Sequence, residues 1–375
     1  MLAGHVWVYR SDIVSSNGVP PGALVRVLDD RGKFLGSALY SSSSQIALRL
    51  LSRELVDDFP ALLRKRIREA IAYRKQVVHG TDAYRVVFSE GDFLPGLIVD
   101  CYNDLISMQI LTQAMDSEAA RRAIMAELNE QFKPSAIAER VDPRVRELEQ
   151  LAARTSNLIQ GDKSSTIFSM NGIRFHYEAH EGQKTGAFLD QRENYAAATQ
   201  YARGEALDVF CYQGGFALHL AQRCSSVTGV DSSRPALEMA EKNAALNGRE
   251  IEWIEANAFE LLRDYAHAGR QYDCIVLDPP AFAKSRRNLE TALRGYKELN
   301  LRALKMLRPG GVLVTCSCSY HVSRTEFLAI VASAARDVHR NIRLLENSTQ
   351  AKDHPILLPI PETAYLKCVA ATVSY

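Results

Sequence analysis

The chain has 375 residues, of which 47% are hydrophobic and 24% charged, a balance typical of a globular protein with more than one domain. No apolar run approaches about 20 residues and no basic segment precedes an apolar one at the N-terminus, so we expect neither a membrane span nor a secretory signal. The seven cysteines follow no metal-ligand or disulfide spacing, which predicts no metal site and favours the reducing cytoplasm. The net charge of +1 identifies no partner by itself.

Residues 1–75 have the pattern of a small β-rich domain. Strand-like runs at 22–28, 33–40 and 45–51 are separated by turn residues, and Pro60 opens a basic helix. Lys and Arg concentrate on that helix, and two interpretations of them stay open: a solvated helix face, or a patch that faces RNA.

Residues 76–178 are predicted to form a second, α+β domain without a catalytic cluster. Strands are expected at 84–88, 97–102 and 105–111, followed by a helix over 116–131 with Asp116 as its cap. Asn171-Gly172 predicts a tight hairpin that joins strands at 165–170 and 173–177.

From residue 179 to 375 strands and helices alternate, which predicts an α/β domain with a doubly wound, mostly parallel, Rossmann-like sheet. The predicted strands are 206–210, 227–231, 251–254, 272–278 and 311–316, and the predicted helices are 215–223, 233–246, 257–267, 288–307 and 323–338. Strands at 341–346 and 365–373 have no helix between them, so they should close the sheet as antiparallel strands.

The stretch from Leu207 to Asp231 reads as strand, glycine turn, helix and a second strand ending in an acid. That arrangement binds an adenosine-containing cofactor, with the acid on the ribose diol. The turn lacks Gly-x-Gly-x-x-Gly, so a nucleoside without pyrophosphate, S-adenosylmethionine, fits better than a dinucleotide. The predicted cofactor contacts here are Asp208, Phe210, Tyr212, Gly214, Gly215 and Asp231.

Two further strand ends carry reactive side chains. Asp278 precedes two prolines, and proline holds the residue before it extended, although Asp-Pro-Pro is also a common turn. Cys316 and Cys318 end another strand, and two residues at this spacing point to one side if the chain stays extended. A single cysteine in an apolar strand is usually a core residue, but two cysteines at a catalytic edge favour a function.

Together these residues predict methyl transfer to carbon 5 of a pyrimidine. A thiolate that adds to carbon 6 makes carbon 5 nucleophilic. A carboxylic acid at Asp278 can bind the ring N3 or the exocyclic amine and stabilise the developing charge. The base that then removes the carbon 5 proton stays open among Cys316, His354 and water. Because a paired base is out of reach, the target should be unpaired or flipped.

Four segments resemble one family. Glu-Gly-Gln-Lys-Thr-Gly-Ala-Phe-Leu-Asp-Gln-Arg (181–192), Phe210–Phe216, Asp278–Phe282 and Ser317–Ser319 are similar to the bacterial 23S ribosomal RNA cytosine-5 methyltransferases of the large-subunit methyltransferase I type. The first 75 residues resemble a PUA domain, which docks on structured RNA.

The resemblance implies S-adenosylmethionine as methyl donor, 5-methylcytidine in ribosomal RNA as product and Cys318 as nucleophile. It also implies that Gln183, Lys184, Thr185 and Asp190 lie near the methionine end of the cofactor. Asn257 stands where the family usually has Asp beside the adenine. Other RNA cytosine-5 methyltransferases use Thr-Cys-Ser, which matches Cys316, so both thiols remain candidates.

Several alternatives stay open at this point. The chain could methylate guanine N2 or uridine C5 of ribosomal RNA, or be a non-catalytic RNA-binding or assembly protein; a nicotinamide-dependent dehydrogenase is disfavoured by the glycine spacing. The RNA position and the oligomeric state, a homodimer included, are not determined by the sequence.

Overall fold

The structure is a computed structural model, and it describes residues 5–179, 187–283 and 285–374. These residues form two compact units. The first lies within Met1–Ser169, Tyr177–Leu189 and Lys352–Thr363, and the second within Met170–His176, Asp190–Ala351 and Ala364–Tyr375. The predicted domain boundaries near residues 75 and 178 stay predictions.

In the residues that the structure describes, two sheets and three α-helices build most of the first unit. Its elements are β1 (Trp7–Tyr9), β2 (Leu24–Leu28), β3 (Phe34–Tyr40), β4 (Ile46–Ser52), α1 (Phe59–Val77), β5 (Ala83–Phe88), β6 (Leu97–Tyr102), β7 (Leu105–Ile110), α2 (Glu118–Phe132), β8 (Ala136–Glu139), α3 (Pro143–Leu148) and β9 (Asn157–Gln160). The four-stranded sheet has the order β1-β4-β3-β2 and the five-stranded sheet the order β5-β6-β7-β8-β9. The predicted strands are confirmed within one or two residues, whereas β1, β8 and β9 were missed because each has only three or four residues.

The cap predicted for α2 is wrong by one residue. The Ser117 hydroxyl accepts a hydrogen bond from the Ala120 amide at the helix N-terminus. Asp116 instead forms an ion pair with Arg121. Serine is as good a cap as aspartate, so the sequence alone did not discriminate between these neighbours.

Much of the basic charge on α1 is used inside the unit. Arg64 and Arg68 both bind the buried Glu127 of α2. Arg74 is 1% exposed; it binds Asp92 and donates to the carbonyls of Arg85 and Asp353. A solvated face and an RNA-facing patch therefore both fail for Arg74. Arg64 and Arg68 have side chains that are 39% and 47% exposed, so both interpretations stay open for them.

The hairpin predicted around Asn171-Gly172 is confirmed. Strands β10 (Ser165–Met170) and β11 (Ile173–Glu178) pair as a two-stranded sheet. Asn171 and Gly172 have φ angles of 53° and 81°, as a two-residue type I′ turn requires.

A seven-stranded sheet forms the second unit. Its elements are α4 (Arg192–Tyr201), β12 (Glu205–Val209), α5 (Gly215–Leu220), β13 (Ser226–Asp231), α6 (Arg234–Leu246), β14 (Glu252–Glu255), α7 (Ala258–His267), β15 (Tyr272–Leu277), α8 (Leu289–Met306), β16 (Leu307–Ser317), α9 (Arg324–Asp337), β17 (Asn341–Ser348) and β18 (Lys367–Ser374). The strand order is β14-β13-β12-β15-β16-β18-β17.

Strands β12 to β16 pair in parallel, while β18 pairs antiparallel with both β16 and β17. The α/β fold class with antiparallel closing strands is thereby confirmed. Helices cover an apolar core that includes Leu207, Ile275 and Leu313, all fully buried. The order reverses between β12 and β15, and the crevice at such a switch point is where sheets of this kind bind ligands.

In the described parts of the chain, no helix has the length and apolarity needed to cross a membrane.

Candidate functional site

Strand register brings the predicted site residues to one edge of the sheet. Val209 at the end of β12 lies opposite Val230 of β13 and Leu277 of β15. Asp231 and Asp278 each follow one of those partners directly, so both carboxylates lie beside the turn after β12. This edge is the carboxyl end of the parallel strands, at the switch point.

The turn after β12 is built for close approach of backbone to a ligand. Gly214 has a φ of 85°, and a Cβ there would lie 2.8 Å from the Trp253 ring. A Cβ on Gly215 would lie 2.4 Å from the Tyr195 hydroxyl oxygen. Only glycine therefore fits at either position without displacing a neighbour.

The residues before these glycines carry backbone strain. Phe210 and Tyr212 have φ angles of 68° and 49°, in a region that non-glycine residues seldom adopt. The Tyr212 amide donates to Asp231 Oδ2 at 2.9 Å, which ties the turn to the end of β13. Strain of this kind persists where the surroundings impose it, as at ligand sites.

Asp208 is fully buried beneath the turn. Its Oδ2 accepts from the Ala217 amide of α5 at 2.8 Å, and its Oδ1 has no hydrogen-bond partner among the described residues. Burial raises the pKa of the Asp208 carboxyl well above its usual range. The unsatisfied acceptor and the glycine turn, which a Cβ would fill, fit a nucleoside cofactor with a polar amino-acid end.

Asp278 follows β15 in a partly buried position. Gln191 Nε2 donates to its Oδ2 at 3.0 Å, and the Cys316 thiol is a second hydrogen-bond partner. Burial raises the pKa of the Asp278 carboxyl to about 7, and the charge of Asp190 adds to this effect. The Gln191 side chain is itself oriented by Asn194, whose Nδ2 donates to Gln191 Oε1 at 2.6 Å.

The two candidate thiols have different environments. Cys316 is fully buried in β16 opposite Cys368, and burial raises the pKa of its thiol well above the usual range. Cys318 lies just beyond the strand and is half-buried, and its Sγ is 3.9 Å from the Pro279 carbonyl oxygen. β16 ends at Ser317, so Cys318 lies one residue beyond the paired strand that encloses Cys316.

Other predicted residues lie around this edge. Asp190 accepts a hydrogen bond from the Tyr365 hydroxyl at 2.7 Å. Asn257 follows β14 and caps α7, where its Oδ1 accepts from the Phe259 and Glu260 amides. Gln183, Lys184 and Thr185 lie outside the described residues. His354 belongs to the first unit, where it is 2% exposed and packs on Phe88.

Sequence reasoning missed three polar groups at this edge: Gln191, Tyr195 and Lys367. Gln191 stands inside the 181–192 segment but was assigned no contact. Lys367 is a cation at the start of the apolar strand β18, and that mismatch with its surroundings was a usable signal. Tyr195 gives no such signal, since a tyrosine on an amphipathic helix is ordinary.

Comparisons with known proteins agree with this geometry. Residues 1–53 match the PUA-like domain family and residues 101–359 match the S-adenosylmethionine-dependent methyltransferase family. The chain is 39% identical to the ribosomal RNA large subunit methyltransferase I of Tolumonas auensis, over 98% of this chain and 95% of that protein. It is also 39% identical to the protein of the same name from Shewanella amazonensis, with the same coverage.

The chain belongs to the ribosomal RNA large subunit methyltransferase I family. Its methyltransferase region makes S-adenosylmethionine its cofactor, and its N-terminal region is PUA-like. The resemblance to this family stated from the four sequence segments is thereby confirmed.

Solved structures support the fold. SMU.776, described as a methyltransferase and solved with S-adenosylhomocysteine, matches with a TM-score of 0.84 at 19% identity, over 99% of this chain and 96% of that one. A Streptococcus mutans protein described as an S-adenosylmethionine-dependent methyltransferase matches with a TM-score of 0.83 at 19% identity and the same coverage. At this identity the likeness concerns the fold alone.

We predict that Gly214→Ala weakens S-adenosylmethionine binding at least about tenfold, because the new Cβ meets Trp253 as well as a positive φ. Gly269→Ala is the matched control, since Gly269 also has a positive φ, 69°, but open space around its Cβ position. Calorimetric titration with the cofactor measures both. Equal affinities of the two variants would show that the turn does not approach the cofactor.

We also predict a pH-dependent stability contribution from Asp278. Because its folded pKa of about 7 lies above the ordinary 3.8, the folded state binds the proton more tightly, and stability falls as pH rises from about 4 to 7. A tenfold difference in proton affinity between the folded and unfolded states corresponds to about 1.4 kcal/mol, and residual solvation of the part-buried carboxyl reduces the total. Asp278→Asn should therefore raise the melting temperature more at pH 8 than at pH 5.

The exposed Asp264, replaced by Asn, is the control for this measurement and should show no such difference between the two pH values. An Asp278→Asn variant whose melting temperature changes equally at pH 5 and pH 8 would contradict the raised pKa.

Proposed function

We propose that this chain transfers a methyl group from S-adenosylmethionine to carbon 5 of a cytosine in large-subunit ribosomal RNA, with Cys318 as covalent nucleophile. The observation that carries the proposal is the difference between the two thiols. Cys318 is half-buried at the strand end, near Pro279, whereas Cys316 is enclosed in the sheet. A nucleophile must be reachable by its substrate, and only Cys318 of this pair meets that condition.

The cofactor would be held by the edge already described, and it supplies an electrophilic methyl group. Asp231 binds the ribose diol, and the glycine turn lies against the nucleoside. Asn257 Oδ1 is already occupied by the cap of α7, so its Nδ2 remains to donate to a ring nitrogen of adenine. Asp208, Asp190, Gln183, Lys184 and Thr185 are assigned to the methionine end, with Phe210 and Tyr212 shaping the turn between them.

The proposed reaction begins with the Cys318 thiolate. A bond forms between Sγ and carbon 6, and the electrons of the carbon 5–carbon 6 double bond move into the ring, where a proton donated by Asp278 to N3 stabilises them. A carboxyl with a pKa of about 7 is partly protonated at neutral pH and can make that donation. Carbon 5 then attacks the methyl carbon, whose bond to the sulfonium sulfur would break so that the electron pair leaves with the sulfur.

Release requires loss of the carbon 5 proton and cleavage of the bond between Sγ and carbon 6, which returns the thiolate. The N3 proton goes back to the Asp278 carboxylate as the ring regains its double bond, which leaves a neutral base and restores the carboxyl. Cys316 is fully buried and hydrogen-bonded to Asp278, so we assign it to positioning that carboxyl. His354 is buried against Phe88 in the first unit. We therefore propose water as the proton acceptor.

Ribosomal RNA is proposed as substrate because the relatives that match along the whole chain carry that name, and because residues 1–53 match the PUA-like family. The reaction would then take place in the cytoplasm. The target cytosine must be unpaired or flipped, since carbon 6 of a stacked, paired base is inaccessible to a side chain.

We predict that large-subunit ribosomal RNA lacking the modification gains labelled 5-methylcytidine when incubated with this protein and labelled S-adenosylmethionine. Cys318→Ala should lose methyl transfer by at least about a thousandfold while still binding the cofactor. Cys316→Ser is the matched control: it removes the second thiol but keeps a hydroxyl that can donate to Asp278, so it should keep most of the activity. Nucleoside mass analysis measures the product.

Three outcomes would contradict the proposal. Full activity of Cys318→Ala would show that Cys318 is not the nucleophile. Methylated guanosine or 5-methyluridine as product would show that the target base is not cytosine. RNA binding without methyl transfer under all conditions would make the chain a binding or assembly protein.

A further inference from the structure

Lys367 places a positive charge inside the second unit. It begins β18, lies opposite Ser317 of β16 and is 6% exposed. Removal of an ammonium group from water is costly unless an anion or several hydrogen bonds compensate it. The position of this lysine therefore calls for a physical reason.

Its hydrogen bonds do not supply a counter-charge. Nζ donates to the Ser319 carbonyl at 2.6 Å and to the Tyr365 carbonyl at 2.9 Å, and both acceptors are neutral. Among the described residues, no carboxylate forms an ion pair with it and its third N–H has no acceptor. Ser319 is the residue directly after Cys318, so the ammonium lies next to the segment that carries the thiol.

The charged and titratable groups around this ammonium come from three other elements. A negative charge on Cys318, after β16, raises the pKa of Lys367, and the positive charge of Arg324 in α9 lowers it. The third group is Tyr296 of α8, whose hydroxyl oxygen lies 2.9 Å from Ser319 Oγ. Burial lowers the pKa of the Lys367 ammonium to about 8. At pH 7 the lysine is below that pKa and carries its proton, so it remains a cation.

We propose that Lys367 is a positioning residue that holds an ammonium charge beside Cys318 and stabilises the thiolate of that residue. On ionisation the thiol proton leaves to solvent and the lysine keeps its own. The same charge stabilises the thiolate again when the bond between Sγ and carbon 6 breaks. The catalytic consequence rests on the proposed function, whereas the ion pair itself is a property of the resting protein.

Thiol alkylation tests the ion pair without RNA or cofactor. Iodoacetamide reacts with thiolates, so the alkylation rate of Cys318 is proportional to the ionised fraction of its thiol. Peptide mass analysis follows this rate from pH 5.5 to 10. Below the midpoint, the rate should rise roughly tenfold per pH unit. Lys367→Met, which keeps the length of the side chain, should slow alkylation of Cys318 at pH 7 about tenfold. Lys367→Arg keeps the charge and should stay within about threefold of the wild type.

Cys224 is the internal control in every variant. It is part-exposed, and burial raises the pKa of its thiol to about 11, with the charge of Asp273 adding to this effect. Its alkylation profile should be the same with Lys, Met or Arg at position 367. A Cys318 profile that is also unchanged in Lys367→Met would overturn the proposal.

The wild-type protein provides a second test that needs no folded variant. Its Cys318 midpoint should lie below about 8.5, the ordinary value for a free cysteine, and a midpoint at or above that value overturns the proposal. Methyl transfer by Cys318→Ala answers the separate question of the nucleophile. If the alkylation midpoint of Cys318 is below about 8.5 and the Cys318→Ala variant is still active, the ion pair is supported and the covalent mechanism is rejected.

Discussion

Parallel pairing of β12 with β13 and β15, and of β15 with β16, is the constraint on which the site depends. Register alone places Asp231, Asp278 and the segment after Cys316 at one edge, although they are far apart in the chain. Each strand is buried on both faces, so a slip of one residue would move core side chains out of their packing. The chemistry is thereby positioned by the most apolar part of the fold.

Burial then gives similar side chains different properties. Cys316 and Cys318 are two residues apart, yet one thiol is enclosed and hydrogen-bonded to Asp278 while the other is half-buried at the strand end. Asp208 and Asp278 also differ in burial: Asp208 is fully buried and accepts from the Ala217 amide of α5, whereas Asp278 is part-buried and has a pKa near neutrality. For the two cysteines, solvent access separates the enclosed thiol from the proposed nucleophile.

Sequence patterns predicted most of the fold because periodicity and turn chemistry are local. The alternation after residue 179, the Asn171-Gly172 hairpin and the glycine turn all have local signals. Contacts between residues far apart in the chain have no local signal. The structure was therefore needed to find the burial of Arg74, the contact of Gln191 with Asp278 and the hydrogen bond from Lys367 to Ser319. The choice between the two thiols stayed open in the sequence for the same reason.

The central claim is that Cys318 forms a bond to carbon 6 of a cytosine. RNA that carries 5-fluorocytidine at the target tests it most directly, because fluorine at carbon 5 cannot leave as a proton does and the covalent complex should persist. In the presence of S-adenosylmethionine we predict a denaturation-resistant adduct whose RNA is attached to the peptide containing Cys318. The control is the same RNA with an ordinary cytidine, which should be methylated. If that control is methylated but the fluorinated RNA forms no adduct, or if the adduct is attached at Cys316, the covalent role of Cys318 is contradicted.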